Sequence, residues 1–113
     1  MRYERMVIGE AINNEYLTNV AEIMKVNCHE RLINEPGFES YSIIKEDGGH
    51  MIILQTVWMS REDCVRYHSG RAYRQLVAST QHMLVGDFVV KLFKVVETGT
   101  PTERRAGSAF VAI

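Results

Sequence analysis

A surplus of either charge is what this chain most lacks. Its 13 Lys and Arg stand against 14 Asp and Glu, interspersed along 113 residues, for a formal net charge of −1. With no basic face to neutralise a run of phosphates, nucleic acid is not expected as a partner. Long apolar runs are missing too. No segment approaches the length that crosses a bilayer, and the opening Met1-Arg2-Tyr3-Glu4-Arg5 has no apolar signal core, which predicts a soluble, cytoplasmic protein without membrane contact. Only 2 cysteines occur, Cys28 and Cys64, and both fall inside amphipathic patterns, which predicts buried, reduced thiols and disfavours a disulfide. There is no Gly-rich phosphate loop, Walker lysine motif, G-x-S-x-G elbow or carboxylate cluster of metal-binding spacing, so kinase, dehydrogenase and serine hydrolase readings fall away.

What is present suffices for one modest core, since 46% of the residues are hydrophobic. The most telling stretch runs from Met51 through Trp58 to Asp63. A strand ends on the Trp, and Ser60 with Asp63 three residues on forms a capping box that opens a helix in the same segment. Ahead of it, residues 2–11 read as a first strand. From Asn13 or Asn14, either a good N-cap, Leu17, Val20, Ala21, Met24, Cys28 and Leu32 recur at helical steps until Pro36-Gly37 stops them. Phe38 to Lys45 alternates, Asp47-Gly48-Gly49 supplies a hairpin turn, and His50 to Met59 returns antiparallel. Beyond the capping box a second helix is expected to bend or split at Ser69-Gly70 and close at Gly86, and Asp87 to Val96 is the most strand-like segment of the chain.

Strand, helix, strand, strand, helix, strand folds most simply into an α+β ferredoxin-like βαββαβ plait, a four-stranded antiparallel sheet with helices on one face. Ile52, Leu54 and Trp58 take one face of the third strand, while Met51, Ile53, Val57 and Met59 take the other. Helices cover one face only, and each large apolar side chain left wet forgoes about 1.5 to 3 kcal/mol. A homodimer of sheets packed face to face is therefore expected. Residues 1–97 read as the domain. Residues 98–113 read as a tail whose apolar end fits equally a short strand contacting the partner subunit and a frayed terminus.

Pro36-Gly37-Phe38 after a long helix, Val57-Trp58-Met59-Ser60 before the second, and Arg71 to Leu84 leading into a final strand together resemble the antibiotic biosynthesis monooxygenase domain family over residues 3 to 97. The resemblance implies a dimeric α/β barrel with a pocket between helices and sheet. It also implies oxidation of phenolic or quinone-like compounds without metal or flavin, the expected function here. Haem degradation is the alternative chemistry of such domains. Its pattern asks for an Asn on the first strand, a Trp at the position of Tyr67 and an iron-ligating His at the position of Val77, and none is present. The polyketide-oxidising pattern has an Asn where this chain has Leu54, so only Trp58 carries over. A non-enzymatic barrel that binds a small molecule is the third reading.

The candidate catalytic residues are His68 and Trp58. His68 has an ordinary pKa near neutrality and stands before the Ser69-Gly70 break, as suits a general base, although a solvated helix-end His is the plainer description. Trp58 reads as a pocket roof with an indole N–H for a substrate oxygen, and equally as core filler. Tyr41, Tyr67, Tyr73 and His82 are candidate substrate contacts, each also explained by packing or, for His82, by the helix dipole. Cys64 and His68 share a helix face but fall short of the three or four ligands of a zinc site, so no metal and no cofactor are expected, haem entering only under the alternative.

Overall fold

The computed structural model describes residues 1–101. Its elements are β1 (Tyr3–Glu10), α1 (Asn14–Glu30), β2 (Phe38–Lys45), β3 (Met51–Trp58), α2 (Arg61–His68), α3 (Arg71–Thr80) and β4 (Val89–Lys94). The strands form one antiparallel sheet in the order β2-β3-β1-β4. This is the expected ferredoxin-like α+β arrangement.

Asn13 is the N-cap that starts α1, its side-chain oxygen accepting from the Tyr16 N–H at 2.8 Å. The periodic face of α1 then buries Leu17, Val20, Met24 and Cys28 against Val7, Ile52, Leu54 and Trp58 of the sheet. The helix ends at Glu30, earlier than its apolar period suggests. Leu32 stays in the core, but on a short 3-10 turn (Leu32–Asn34) that brings the chain to Pro36.

Gly37 reverses the chain with φ +78°, a conformation that costs an L-residue strain, and a Cβ there would collide with the Asp63 carboxylate. Its carbonyl accepts from the Met59 N–H at 2.8 Å, tying the start of β2 to the end of β3. Ser60 next caps α2: its hydroxyl accepts from the Asp63 N–H at 3.2 Å and donates to the Asp63 carboxylate at 2.8 Å. That hydrogen bond and a second from Arg66 hold the Asp63 carboxyl below its ordinary range.

The expected second helix is two. It splits at Ser69-Gly70 into α2 and α3, and its last residues, Gln81–Met83, form a 3-10 turn. β4 is shorter than the apolar run around it. Phe88 turns aside to pack on Gly9, where any Cβ on β1 would meet its ring, so pairing with β1 begins only at Val89.

Side chains alternate across the sheet. The face away from the helices carries Met6, Ile8, Ile53 and Val57 half-buried and Ile44, Val89 and Phe93 exposed. Among the described residues nothing covers that face. Among the described residues no helix is long and apolar enough to cross a membrane. From residue 102 on, the expected tail lies outside the described residues.

The joint between β3 and α2 predicts two stability losses measurable by urea unfolding. Ser60→Ala removes the cap and costs about 1 kcal/mol. Gly37→Ala combines a strained φ with the Asp63 collision and costs about 1 to 3 kcal/mol.

Candidate active site between α2 and the sheet

Alternation along β1 places Tyr3, Arg5, Val7 and Gly9 on the helix side, because every second residue of a strand shares a face. Arg5 therefore points inward and is only 2% exposed. Its guanidinium carbon lies 4.3 Å from the ring centre of Tyr73 and 5.0 Å from that of Tyr67, so two aromatic faces offset part of its charge. No carboxylate pairs with it among the described residues. Its Nη2 stands 2.8 Å from Nδ1 of His68, while Nη1 and the nearby Tyr67 hydroxyl, both buried, have no hydrogen-bond partner among the described residues.

The Arg5–His68 contact assigns a tautomer. A guanidinium has donors and no acceptor, so Nδ1 of His68 must accept, which leaves the imidazole neutral with its proton on Nε2. His68 also stacks on Tyr73, with ring centres 5.4 Å apart and planes 28° from parallel. Partial loss of water lowers its pKa, and the Arg5 charge lowers it further. The general base expected of His68 is thus a hydrogen-bond donor, because the lone pair a base would use is already engaged.

Between α2 and the β1–β4 edge lies a cavity of about 260 Å³, walled by Arg5, Cys64, Val65, His68, Val90 and Leu92. Cys64 and His68 face it because they are one helical turn apart. Burial pushes the Cys64 thiol up, against the pull of Arg5 and Arg61, and burial also pushes up the Tyr67 phenol. Both keep their protons at neutral pH. A smaller hollow of about 100 Å³ lies along α3, between Tyr73, Val77 and Phe88. Larger hollows lie elsewhere among the described residues, about 490 Å³ in the groove between α1 and α3, about 510 Å³ beside the β2–β3 hairpin and about 340 Å³ along α1 at Val26 and His29. None of these holds Arg5 or His68, so the smaller cavity at Arg5 is the candidate site.

The structure brings together three of the expected site residues, His68, Tyr67 and Tyr73. Trp58 lies next to them, its ring centre 5.1 Å from that of Tyr67, but it is wholly buried and its indole N–H is donated to Thr56 Oγ1 at 2.8 Å. That hydrogen is not free for a substrate. Tyr41 is half-buried on the far edge strand, against Phe38 and His29. His82 is exposed on the turn after α3, edge-on to Tyr16, and walls neither hollow near Arg5.

Sequence reasoning passed over Arg5 altogether. Its register with Val7 is the available signal, but Met6 and Ile8 make the opposite face of β1 equally apolar, so parity alone does not say which face is inside. At the ligand position of the haem pattern stands Val77, which has no donor atom, so the family's own haem ligand is not carried over. Among the described residues no three His, Cys, Asp or Glu side chains come together as a metal site.

The chain has the fold of antibiotic biosynthesis monooxygenase domains. It is similar to the ActVA-Orf6 monooxygenase of Streptomyces coelicolor, solved with the ligand nanaomycin D, at TM-score 0.78 and 14% identity, covering 88% of this chain and 92% of that one. It is similar to SnoaB, a cofactor-independent oxygenase from Streptomyces nogalater, at TM-score 0.72 and 10% identity over 86% and 95% of the two chains. A putative antibiotic biosynthesis monooxygenase from Nitrosomonas europaea superposes at TM-score 0.71 with 18% identity over 87% and 94%. In sequence, no family model matches and no curated protein does. At these identities the likeness establishes the fold.

The Arg5–His68 geometry predicts that His68 titrates below its ordinary value of 6.5, with nitrogen shifts of the Nε2–H tautomer in an NMR titration. In Arg5→Met its pKa rises. The unfolded chain takes up this proton near 6.5 and the folded chain only at lower pH. The contribution of neutral His68 to stability is therefore intact above that value and is lost as pH falls below it.

Proposed function

We propose that the chain is a cofactor-independent monooxygenase acting on an aromatic, phenolic or quinone-like compound in the cavity at Arg5. The observation that carries this reading is a small, largely apolar cavity whose polar walls are donors, with a buried guanidinium that no carboxylate neutralises. Cofactor-free oxygenation needs an electron-rich organic anion, donors that hold its negative charge, and exclusion of water from the reacting pair. Arg5 and the Nε2–H of His68 are the donors, Val65, Val90 and Leu92 supply the apolar side, and Tyr73 holds the imidazole by stacking on it. The kinship in fold to a cofactor-independent oxygenase supports the same reading.

For a naphthol-like substrate the reaction balances without further reagents. The phenolate gives one electron to oxygen, and the resulting radicals join in a C–O bond. The peroxide takes a proton, and loss of water from the hydroperoxide and its ring C–H leaves the quinone. One oxygen atom ends in the product and one in water.

The second element of the proposal is a homodimer formed by the uncovered face of the sheet. Exposed Ile44, Val89 and Phe93 adjoin half-buried Met6, Ile8, Ile53 and Val57, and burying each large side chain is worth about 1.5 to 3 kcal/mol. A two-fold contact between like faces satisfies both copies.

Oxygen-electrode assays with anthrone and naphthol, run at a mildly alkaline pH where part of each probe is ionised, test the first element. Uptake is expected in the wild type, and loss of the His68 donor in His68→Ala slows it about 100-fold or more. Absence of uptake across such substrates would refute the oxygenase reading. Sedimentation tests the second, with a species of twice 13.0 kDa expected and Ile53→Glu shifting it to the single chain.

A further inference from the structure

We propose that this site, taken as the oxygenase centre above, receives its substrate already ionised: an acidic phenol or enol of the hydroxyquinone kind, whose anionic oxygen lies between Arg5 and the Nε2–H of His68. The inference rests on an inventory of donors and acceptors around the cavity. Arg5 Nη1 is a buried donor without an acceptor. His68 offers a hydrogen at Nε2, since Nδ1 is engaged by Arg5. The Tyr67 hydroxyl beside the same guanidinium is also buried and unpartnered among the described residues. Cys64, on the cavity wall, keeps its proton. The Thr56 hydroxyl already takes the Trp58 N–H and donates to the Arg5 carbonyl. β4 contributes Val90 and Leu92, which have no polar side-chain atom.

A wall of donors with a fixed positive charge complements a group that only accepts, and an anionic oxygen is such a group. The same inventory holds no base. His68 has no free lone pair, and the Tyr67 phenol and Cys64 thiol are protonated, so none of these described groups is a base for a phenolic proton. That proton is left in solvent before binding. Affinity should then follow the ionisation of the ligand; the titratable groups on the cavity wall among the described residues are Arg5, Cys64 and His68, with the rings of Tyr67 and Tyr73 packed against Arg5.

A matched pair of probes tests this without turnover: hydroxynaphthoquinone, an acidic enol that is anionic at neutral pH, and its methoxy ether, which has the same ring and no acidic hydrogen. Calorimetry at neutral pH is expected to show the hydroxy compound binding about tenfold or more tighter, the scale of a charge-assisted hydrogen bond. Its affinity should fall as pH drops through the probe's own pKa, while that of the ether stays flat. In Arg5→Met the preference should shrink to about one, and in Arg5→Lys part of it should return. Circular dichroism shows whether each variant folds, and should Arg5→Met fail to fold, the wild-type pair and its pH profile decide. Equal affinities, or tighter binding of the ether, would overturn the inference. Naphthol-dependent oxygen uptake separates the two claims. Uptake without anion preference leaves the oxygenase reading standing and this one fallen, whereas anion preference without uptake does the reverse.

Discussion

A guanidinium held out of water, between a sheet and two helices and with no carboxylate beside it among the described residues, sets the terms for the rest of this molecule. Removing such a charge from water is costly, and the surroundings of Arg5 offset the cost in parts. The faces of Tyr67 and Tyr73 supply quadrupole attraction, and His68 supplies one lone pair. Each neighbour is thereby committed. Tyr73 must lie flat against both the guanidinium and the imidazole, and His68 must stay neutral. The remaining imbalance is one buried nitrogen without a partner among the described residues, and the proposed reading of Arg5 as a receptor rests on it.

That arrangement depends on the joint between β3 and α2. Ser60 starts α2 two residues after Trp58, so α2 leaves the sheet with Cys64 and His68 toward β1 and β4 and with Tyr67 over Trp58. Asp63 completes the cap and fills the space that Gly37 leaves open, while the Gly37 carbonyl holds Met59. The break at Ser69-Gly70 then lets α3 change direction and bring Tyr73 back over Arg5, which a single continuous helix could not do. The hydrogen bonds from Trp58 to Thr56 and from Thr56 to the Arg5 carbonyl fasten β3 to the functional strand from beneath. Trp58 thus serves the site through packing and backbone registry.

How much of this was legible in the sequence follows from which signals are local. Caps, turns and periodicity are local, so Asn13, Ser60, Pro36-Gly37 and Asp47-Gly48-Gly49 mark the elements closely, and the order of those elements leads to the plait. Tyr67, Tyr73 and His68 were within reach because helical spacing places them on neighbouring faces. The role of His68 was not, because it turns on a contact with a residue 63 positions away in the chain. Arg5 stayed hidden for a related reason: a sheet apolar on both faces erases the alternation that normally shows an inward charge. Tyr41 and His82 illustrate the converse error, since residue type suggested a role while strand order and the end of α3 put them elsewhere.

The two-faced sheet and the hidden arginine are connected. The outer face of β1 keeps its charges, Glu4 and Glu10, at the two ends of the strand around Met6 and Ile8, whereas Arg5 points to the helix side, and that side holds the cavity. The cavity is open in the single chain, with Val65, His68 and Leu92 exposed at its wall. An electron passing from a bound anion to oxygen leaves charge that water would also stabilise, but water at the same spot would weaken the hold of Arg5 on that anion. The chemistry therefore favours a closed mouth. Substrate itself supplies part of the closure, because an aromatic ring whose oxygen reaches Arg5 and His68 would lie over Leu92 and Val65 and displace water from them. Binding and drying then become one event, driven by charge at one end of the ligand and by apolar area at the other.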